Sequence, residues 1–235
     1  IDCRQKHWQK ALEHLDKSLN LNTDNLRARS LKALVLDILR RDEESKRILR
    51  ETLSLDKLAW FARFLSGEEI TCDVQTKLDI VHELAEAGFY QKAVELLEKN
   101  FDTENFDLAN LDLGISPLVF YTLGWLLEKT GESEKALEYI QLASRESPDY
   151  CFPNRLEEIE ILESAMSINP NDSFAPYYLG NLFYDRKRYA EAVQLWERSA
   201  ELNNKFSIVW RNLGIAYFNV EKDEQKALDA YENAF

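Results

Sequence analysis

The sequence predicts an all-α protein, a right-handed superhelical solenoid of antiparallel helix pairs with some degenerate units. Three features point to it. Small and large residues recur at a step of 34 along the chain. The apolar residues between them follow a helical period and do not alternate. The 7 Gly and 5 Pro of the chain are few, and most fall where helices must touch or turn. A step of this length fits two helices and their turns, and such a pair buries its apolar face only against its neighbours.

In chain order, Lys6–Leu21 reads as the second helix of a pair. Its Ala11, Leu15, Ser18 and Leu21 return one full step later as Ser45, Leu49, Thr52 and Leu55, so a second helix is expected there too. A short apolar helix within Leu55–Ser66 is stopped by Gly67 and a polar stretch to Asp73. Gly88, Ala93 and Leu97 supply the turn glycine, small residue and large residue of another pair. Residues 101–116 are an irregular connection whose Phe and Leu residues suggest that it packs. It divides the chain into helical repeats at 1–100, partly degenerate, and repeats at 117–235.

The second part is more regular. After Leu123-Gly124 come Gly131, Ala136, Ala143 and Pro148, at steps of 7, 12, 19 and 24 from Gly124. After Leu179-Gly180 come Ala192, Trp196 and Ser199, at steps of 12, 16 and 19. Leu213-Gly214 stands one full step beyond Leu179-Gly180. With one extra residue allowed in the Val220–Gln225 turn, Ala227, Tyr231 and Ala234 occupy the same slots. Pro148 and Pro170 are closer together than one step, so one unit has lost most of its first helix. There Phe152-Pro153 leads directly into a helix at Arg155–Ser167, striped by Leu156, Ile159, Leu162, Ala165 and Met166. Phe235 falls in the last turn of a second helix with no polar cap after it. Uncapped solenoid ends expose apolar surface. The expectation is therefore a last unit cut short, a piece of a longer protein, and open ends that could self-associate.

A glycine inside a helix costs about 1 kcal/mol relative to alanine. Gly124, Gly180 and Gly214 are therefore expected at close helix crossings, faced by the small Ala136, Ala192 and Ala227. Gly88 and Gly131 are expected to end first helices in the left-handed conformation. Trp196 recurs as Leu97, Ile140 and Tyr231, which marks it as core.

These residues resemble the tetratricopeptide repeat (TPR) family, whose units are 34-residue helix–turn–helix pairs. Ser173–Phe235 carries the resemblance best, with the Leu-Gly signature in Tyr177–Gly180 and Arg211–Gly214. Cys151–Pro170 and Tyr177–Asp185 are also similar to the repeat region of large, mostly uncharacterised bacterial proteins, where an N-terminal domain of unknown function precedes the repeats. The resemblance implies a non-catalytic scaffold whose first helices line a concave groove for a peptide or protein. Three stripes at one spacing would line it: Tyr121, Trp125 and Glu128; Tyr177, Asn181 and Tyr184; Arg211, Ile215 and Phe218. Pro176, Leu179 and Phe183 lie on the other side of Gly180 and must pack, whereas the Tyr177 stripe need not be buried. Asn181 and Asn212 stand where the family's carboxylate clamp would place amides, but Tyr177 replaces the expected lysine. The matching face of the first half, Ser30, Leu34 and Asp37 with Leu78, His82 and Ala85, is poorer in anchors. Tyr and Trp at helical spacing are also ordinary core, so Trp125 or Phe218 could instead fill gaps between units.

Composition narrows the rest. A net charge of −13 would repel nucleic acid and favours cationic partners, so a basic or aromatic-rich peptide is the expected ligand. No apolar run is long enough to span a membrane. Cys3, Cys72 and Cys151 are odd in number and widely spaced, which suits a reducing, cytoplasmic setting. No phosphate loop, dinucleotide fingerprint, zinc-protease motif or nucleophile elbow is present. Cys3, His7 and His14 share a helix face but lack a fourth ligand, and His82, with no partner in sequence, reads as a groove or surface residue. Acidic runs such as Glu157-Glu158-Glu160 read as solvated faces. No cofactor, metal or catalysis is expected. The competing expectation is an accessory repeat region of an enzyme whose catalytic domain, for example a carbohydrate-active one, lies outside the chain.

Overall fold

A computed structural model describes residues 2–100 and 116–235, and every regular element among them is helical. The expected connection at 101–116 lies outside the described residues except for Ser116, which opens a helix. The chain divides into two compact units, residues 1–106 and 107–235. The first contains α1 (Trp8–Leu21), α2 (Leu26–Ile38), α3 (Asp42–Leu55), α4 (Trp60–Leu65), α5 (Val74–Glu86) and α6 (Tyr90–Asn100). The second contains α7 (Ser116–Thr130), α8 (Ser133–Ala143), α9 (Glu157–Ile168), α10 (Phe174–Asp185), α11 (Tyr189–Leu202), α12 (Ser207–Ala216) and α13 (Glu224–Ala234). A π turn, Tyr217–Glu221, extends α12.

One backbone device sets up the second helices. Lys6, Arg40, Gly88, Gly131, Lys187 and Lys222 all have φ between 58° and 88°. Two residues after each, a helix begins: α1, α3, α6, α8, α11 and α13. Five residues after each comes a buried small residue: Ala11, Ser45, Ala93, Ala136, Ala192 or Ala227. The residue just after the left-handed one donates back across the turn: Arg41 N–H to Leu36 O at 2.9 Å, Phe89 to Leu84 at 2.8 Å, Glu132 to Leu127 at 2.9 Å, Arg188 to Phe183 at 2.8 Å. The sequence points to Gly88 and Gly131 alone; lysine or arginine fills the other four slots at a conformational cost of about 1 kcal/mol each.

The extra residue of the last pair is taken up by the π turn Tyr217–Glu221, which runs into the Val220–Gln225 stretch. It is absorbed inside the helix, where Asp223 N–H reaches Tyr217 O at 3.1 Å, six residues back and not five. A π turn holds one more residue than an α turn, so the slots on both sides stay in register.

The crossing glycines stand at close helix contacts, as expected, and the nearest partner of each is a large side chain. A Cβ on Gly124 would lie 2.7 Å from Ile140 Cγ1, one on Gly180 2.5 Å from Trp196 Cδ1, and one on Gly214 2.8 Å from Tyr231 Cε1. The glycines make room for the large residue of the second helix. The carbonyl of Ala136 also comes close, at 3.0 Å from the Gly124 position. Gly67 stands one full step after Ala33, in this same crossing slot. Here it takes φ 78° and ends α4 after six residues, with Glu68 N–H bonded to Arg63 O at 3.0 Å. At this cut end opens a cavity of about 630 Å³, walled by α2, α3 and α6.

The degenerate unit also departs from expectation. α9 buries Glu158, Ile161, Leu162 and Ala165, while Leu156 is exposed and Ile159 half-buried. The stripe is rotated because Glu158 turns inward. Its Oε2 accepts the Asn154 and Arg155 backbone N–H at 2.6 and 2.8 Å, and burial pushes its carboxyl above the usual range. In this unit α7 and α10 both pack on α9, and the Tyr121 side chain of α7 reaches across to α10. Tyr121 and Tyr178 pack edge to face at 6.0 Å, and the Tyr121 hydroxyl donates to Asp172 Oδ2 at 2.8 Å.

Candidate functional site

α10 and α12 are first helices of successive pairs, and α11 is the second helix between them. Residues one step and four steps after the crossing glycine of α10 are Asn181 and Tyr184. They fall on the side facing α12, where Asn212 and Ile215 flank Gly214. With Asp185 and Trp196 these residues line a cleft of about 260 Å³.

Its floor is a chain of hydrogen bonds. Trp196 Nε1 donates to Asn181 Oδ1 at 3.1 Å and to Tyr177 O at 3.3 Å. Asn212 Nδ2 donates to the same Asn181 Oδ1, also at 3.1 Å. Both lone pairs of that oxygen are thus engaged, and the Asn181 amide is fixed in orientation. Arg211 Nη2 lies 3.4 Å from Asn212 Oδ1, a long contact. The aromatic wall is Tyr184, 5.2 Å from Trp196 and 4.9 Å from Tyr189. Burial raises the Tyr184 hydroxyl's pKa.

The structure gathers Asn181, Tyr184, Asn212 and Ile215 and separates the other expected site residues. Tyr177 is buried, not open: Phe206 packs on its ring at 4.8 Å, Tyr178 at 5.2 Å, and burial raises its hydroxyl's pKa. Tyr121 is buried against Tyr178 and Asp172, and Trp125 is buried with Lys129 over its ring at 5.5 Å. Glu128, Arg211 and Phe218 are exposed but do not line the cleft. Pro176, Leu179 and Phe183 are buried, as their side of the helix requires. In the first unit Ser30, Leu34, Leu78, His82 and Ala85 are all buried, so His82 is neither a groove nor a surface residue. Sequence reasoning misses Asp185 and Trp196 as cleft residues. Trp196 is legible as core only, and Asp185 sits just outside the stripe spacing.

Other reactive groups are quiet. Burial pushes the Cys151 thiol up to about 12 and raises those of Cys3 and Cys72, so none is poised as a nucleophile. The α1 end gathers His7, Lys10 and His14 around Asp2 at 4.0, 3.4 and 3.6 Å, but no group among the described residues could hold a metal ion. No described helix is long and apolar enough to cross a membrane.

Comparison with known proteins bears on this unit. Residues 118–150 match a family model described as tetratricopeptide repeat, and residues 180–220 match one described as TPR repeat. A peroxisomal targeting signal receptor of Candida albicans is 24% identical over 172 residues, covering 69% of this chain and 28% of the receptor. The chain thus spans little more than a quarter of that relative. Among solved structures, YrrB, described as a TPR protein with an unusual peptide-binding site, is 19% identical with a TM-score of 0.31, over 95% of this chain and 91% of its own. MamA is 19% identical with a TM-score of 0.35, over 83% of this chain and 88% of its own.

Proposed function

We propose that the second unit is a non-catalytic scaffold that binds an extended peptide across α10 and α12. The observation that carries this reading is the pair of amides from successive first helices, joined at 3.1 Å on the floor of an aromatic-walled cleft. Asn181 is held by Trp196, and Asn181 in turn holds Asn212. The Asn212 amide keeps a second N–H and, beside the long Arg211 contact, a second oxygen lone pair with which to pair a peptide group. Tetratricopeptide repeats at 118–150 and 180–220 support it, since stacked helix pairs present extended binding surfaces. A basic or aromatic-rich peptide suits the −13 net charge and the Tyr184–Trp196 wall. The free thiols Cys3, Cys72 and Cys151 suit a cytoplasmic setting.

Fluorescence anisotropy with a pool of basic and aromatic ten-residue peptides tests it. Asn212→Ala should weaken binding by roughly three- to tenfold, the loss of one or two hydrogen bonds. Phe218→Ala, outside the cleft, should leave it unchanged. Equal binding by wild type and Asn212→Ala would refute the site.

Self-association is a second reading, favoured by Phe218 and Leu228, which are 53% and 52% exposed on the last pair. It requires a dimer in light scattering that Leu228→Lys dissociates; a monomeric wild type excludes it.

A further inference from the structure

The cleft contains one charged side chain, and it is an acid. Asp185 lies at the end of α10, and its side chain is 71% exposed. Its nearest cation is Arg186, whose Nε stands 3.6 Å from Asp185 Oδ2, beyond a hydrogen bond. The same guanidinium is tethered by its Nη2, which donates to the Asn154 carbonyl at 2.6 Å, so Asp185 has only this long ion pair. Among the described residues no hydrogen bond reaches the Asp185 carboxylate. Beside it stand half-buried Tyr184 and Ile215.

The combination is asymmetric. One end is a carboxylate with open lone pairs; the rest is ring and aliphatic surface, floored by the Asn181–Asn212 pair. A neutral apolar side chain would strip water from Asp185 and return nothing to it. An anionic one would be repelled. A lysine or arginine fits both parts, because its methylene stem lies on apolar surface while its head stays polar. The Tyr184 ring adds attraction for that cation.

We propose that this cleft is a side-chain pocket for a lysine or arginine of the bound peptide, with Asp185 as counter-ion and Tyr184 and Ile215 as the bed for its stem. The proposal rests on the peptide-binding reading above and adds its specificity: Asn212 holds the main chain and Asp185 selects the residue.

The test uses the full chain and two ten-residue peptide pools, degenerate except for a fixed central residue. One pool carries lysine there; the other carries norleucine, which keeps the stem and lacks the charge. Wild type should bind the lysine pool about tenfold more tightly at low salt, the order expected for a partly exposed ion pair with a cation–π contact. Asp185→Asn should shrink that preference below about threefold, leaving the melting temperature unchanged. Equal binding of the two pools by wild type overturns this proposal and leaves the peptide-binding reading intact. A lysine preference that survives Asp185→Asn also overturns it, because the −13 net charge alone would then be responsible. Failure of both pools to bind ends both readings.

Discussion

At the residue scale, Trp196 joins core and cleft. It is buried, fills the space cleared by Gly180, and holds the Asn181 amide through its indole N–H. Trp196→Ala should cost about 3–5 kcal/mol of stability. On an open helix face, as its spacing alone suggests, Asn181 would be harmless to replace. Because its oxygen accepts from both Trp196 and Asn212, Asn181→Ala should instead cost about 1–2 kcal/mol, as it removes both bonds and leaves the indole N–H only its longer bond to the Tyr177 carbonyl. Chemical denaturation of both variants checks the pair, and an unchanged midpoint for Asn181→Ala would contradict this network. Asp172 is a second such residue. It caps α10 through the Phe174 and Ala175 N–H at 2.8 and 3.3 Å and accepts from Tyr121. Burial raises its carboxyl above the usual value despite the lowering effect of those donors. A raised folded-state value means that the folded protein binds the proton more tightly. This group's contribution is therefore full below the unfolded carboxylate value and is lost as pH rises through the folded one. Relative to Asp172→Asn, wild type should gain stability as pH falls from neutral into the carboxylate range. A pH-independent difference between the two melting curves would contradict that burial.

At the element scale, the left-handed turn governs each pair. Lys187→Gly should stabilise the second unit by several tenths to about 1 kcal/mol, because glycine takes φ 62° without strain. Lys222→Gly, at φ 60°, should do the same, and the two should add because they sit in different pairs. Destabilisation by either would mean that the lysine side chain contributes more than its backbone costs. The crossings work in the opposite sense. Gly180→Ala would place a methyl 2.5 Å from Trp196 and should cost about 1–3 kcal/mol. Combining it with Trp196→Leu should recover part of that loss, whereas strictly additive losses would place the clash elsewhere. Both devices are partly legible in the sequence. The repeat step locates the pairs and the crossing glycines. It cannot show that four left-handed slots hold Lys or Arg, because backbone conformation at a non-glycine residue is imposed by the turn around it. Nor can counting place the extra residue, since a loop insertion and a π turn lengthen the sequence equally.

At the scale of the whole molecule, charge and degeneracy matter most. A −13 net charge should speed encounter with cationic peptides at low ionic strength and lose that advantage as salt shortens the screening length. Degeneracy decides which expected groove residues reach solvent. With most of one first helix missing, α7 and α10 both pack on α9, and Tyr121 becomes a strut from α7 to Asp172. Tyr177, only one turn from Asn181, is covered by Phe206 at the entry of α12. Spacing along the chain was enough to establish the helical class, the repeat step, the crossing glycines and the second-helix core, because each depends on residues within one or two helices. Packing between helices settled which side of a first helix stays open, which large residue each glycine admits, and that Asp185 and Trp196 share a cleft with two asparagines. Those outcomes depend on contacts between neighbouring helices, and the period of a single helix says nothing about what will lie against it.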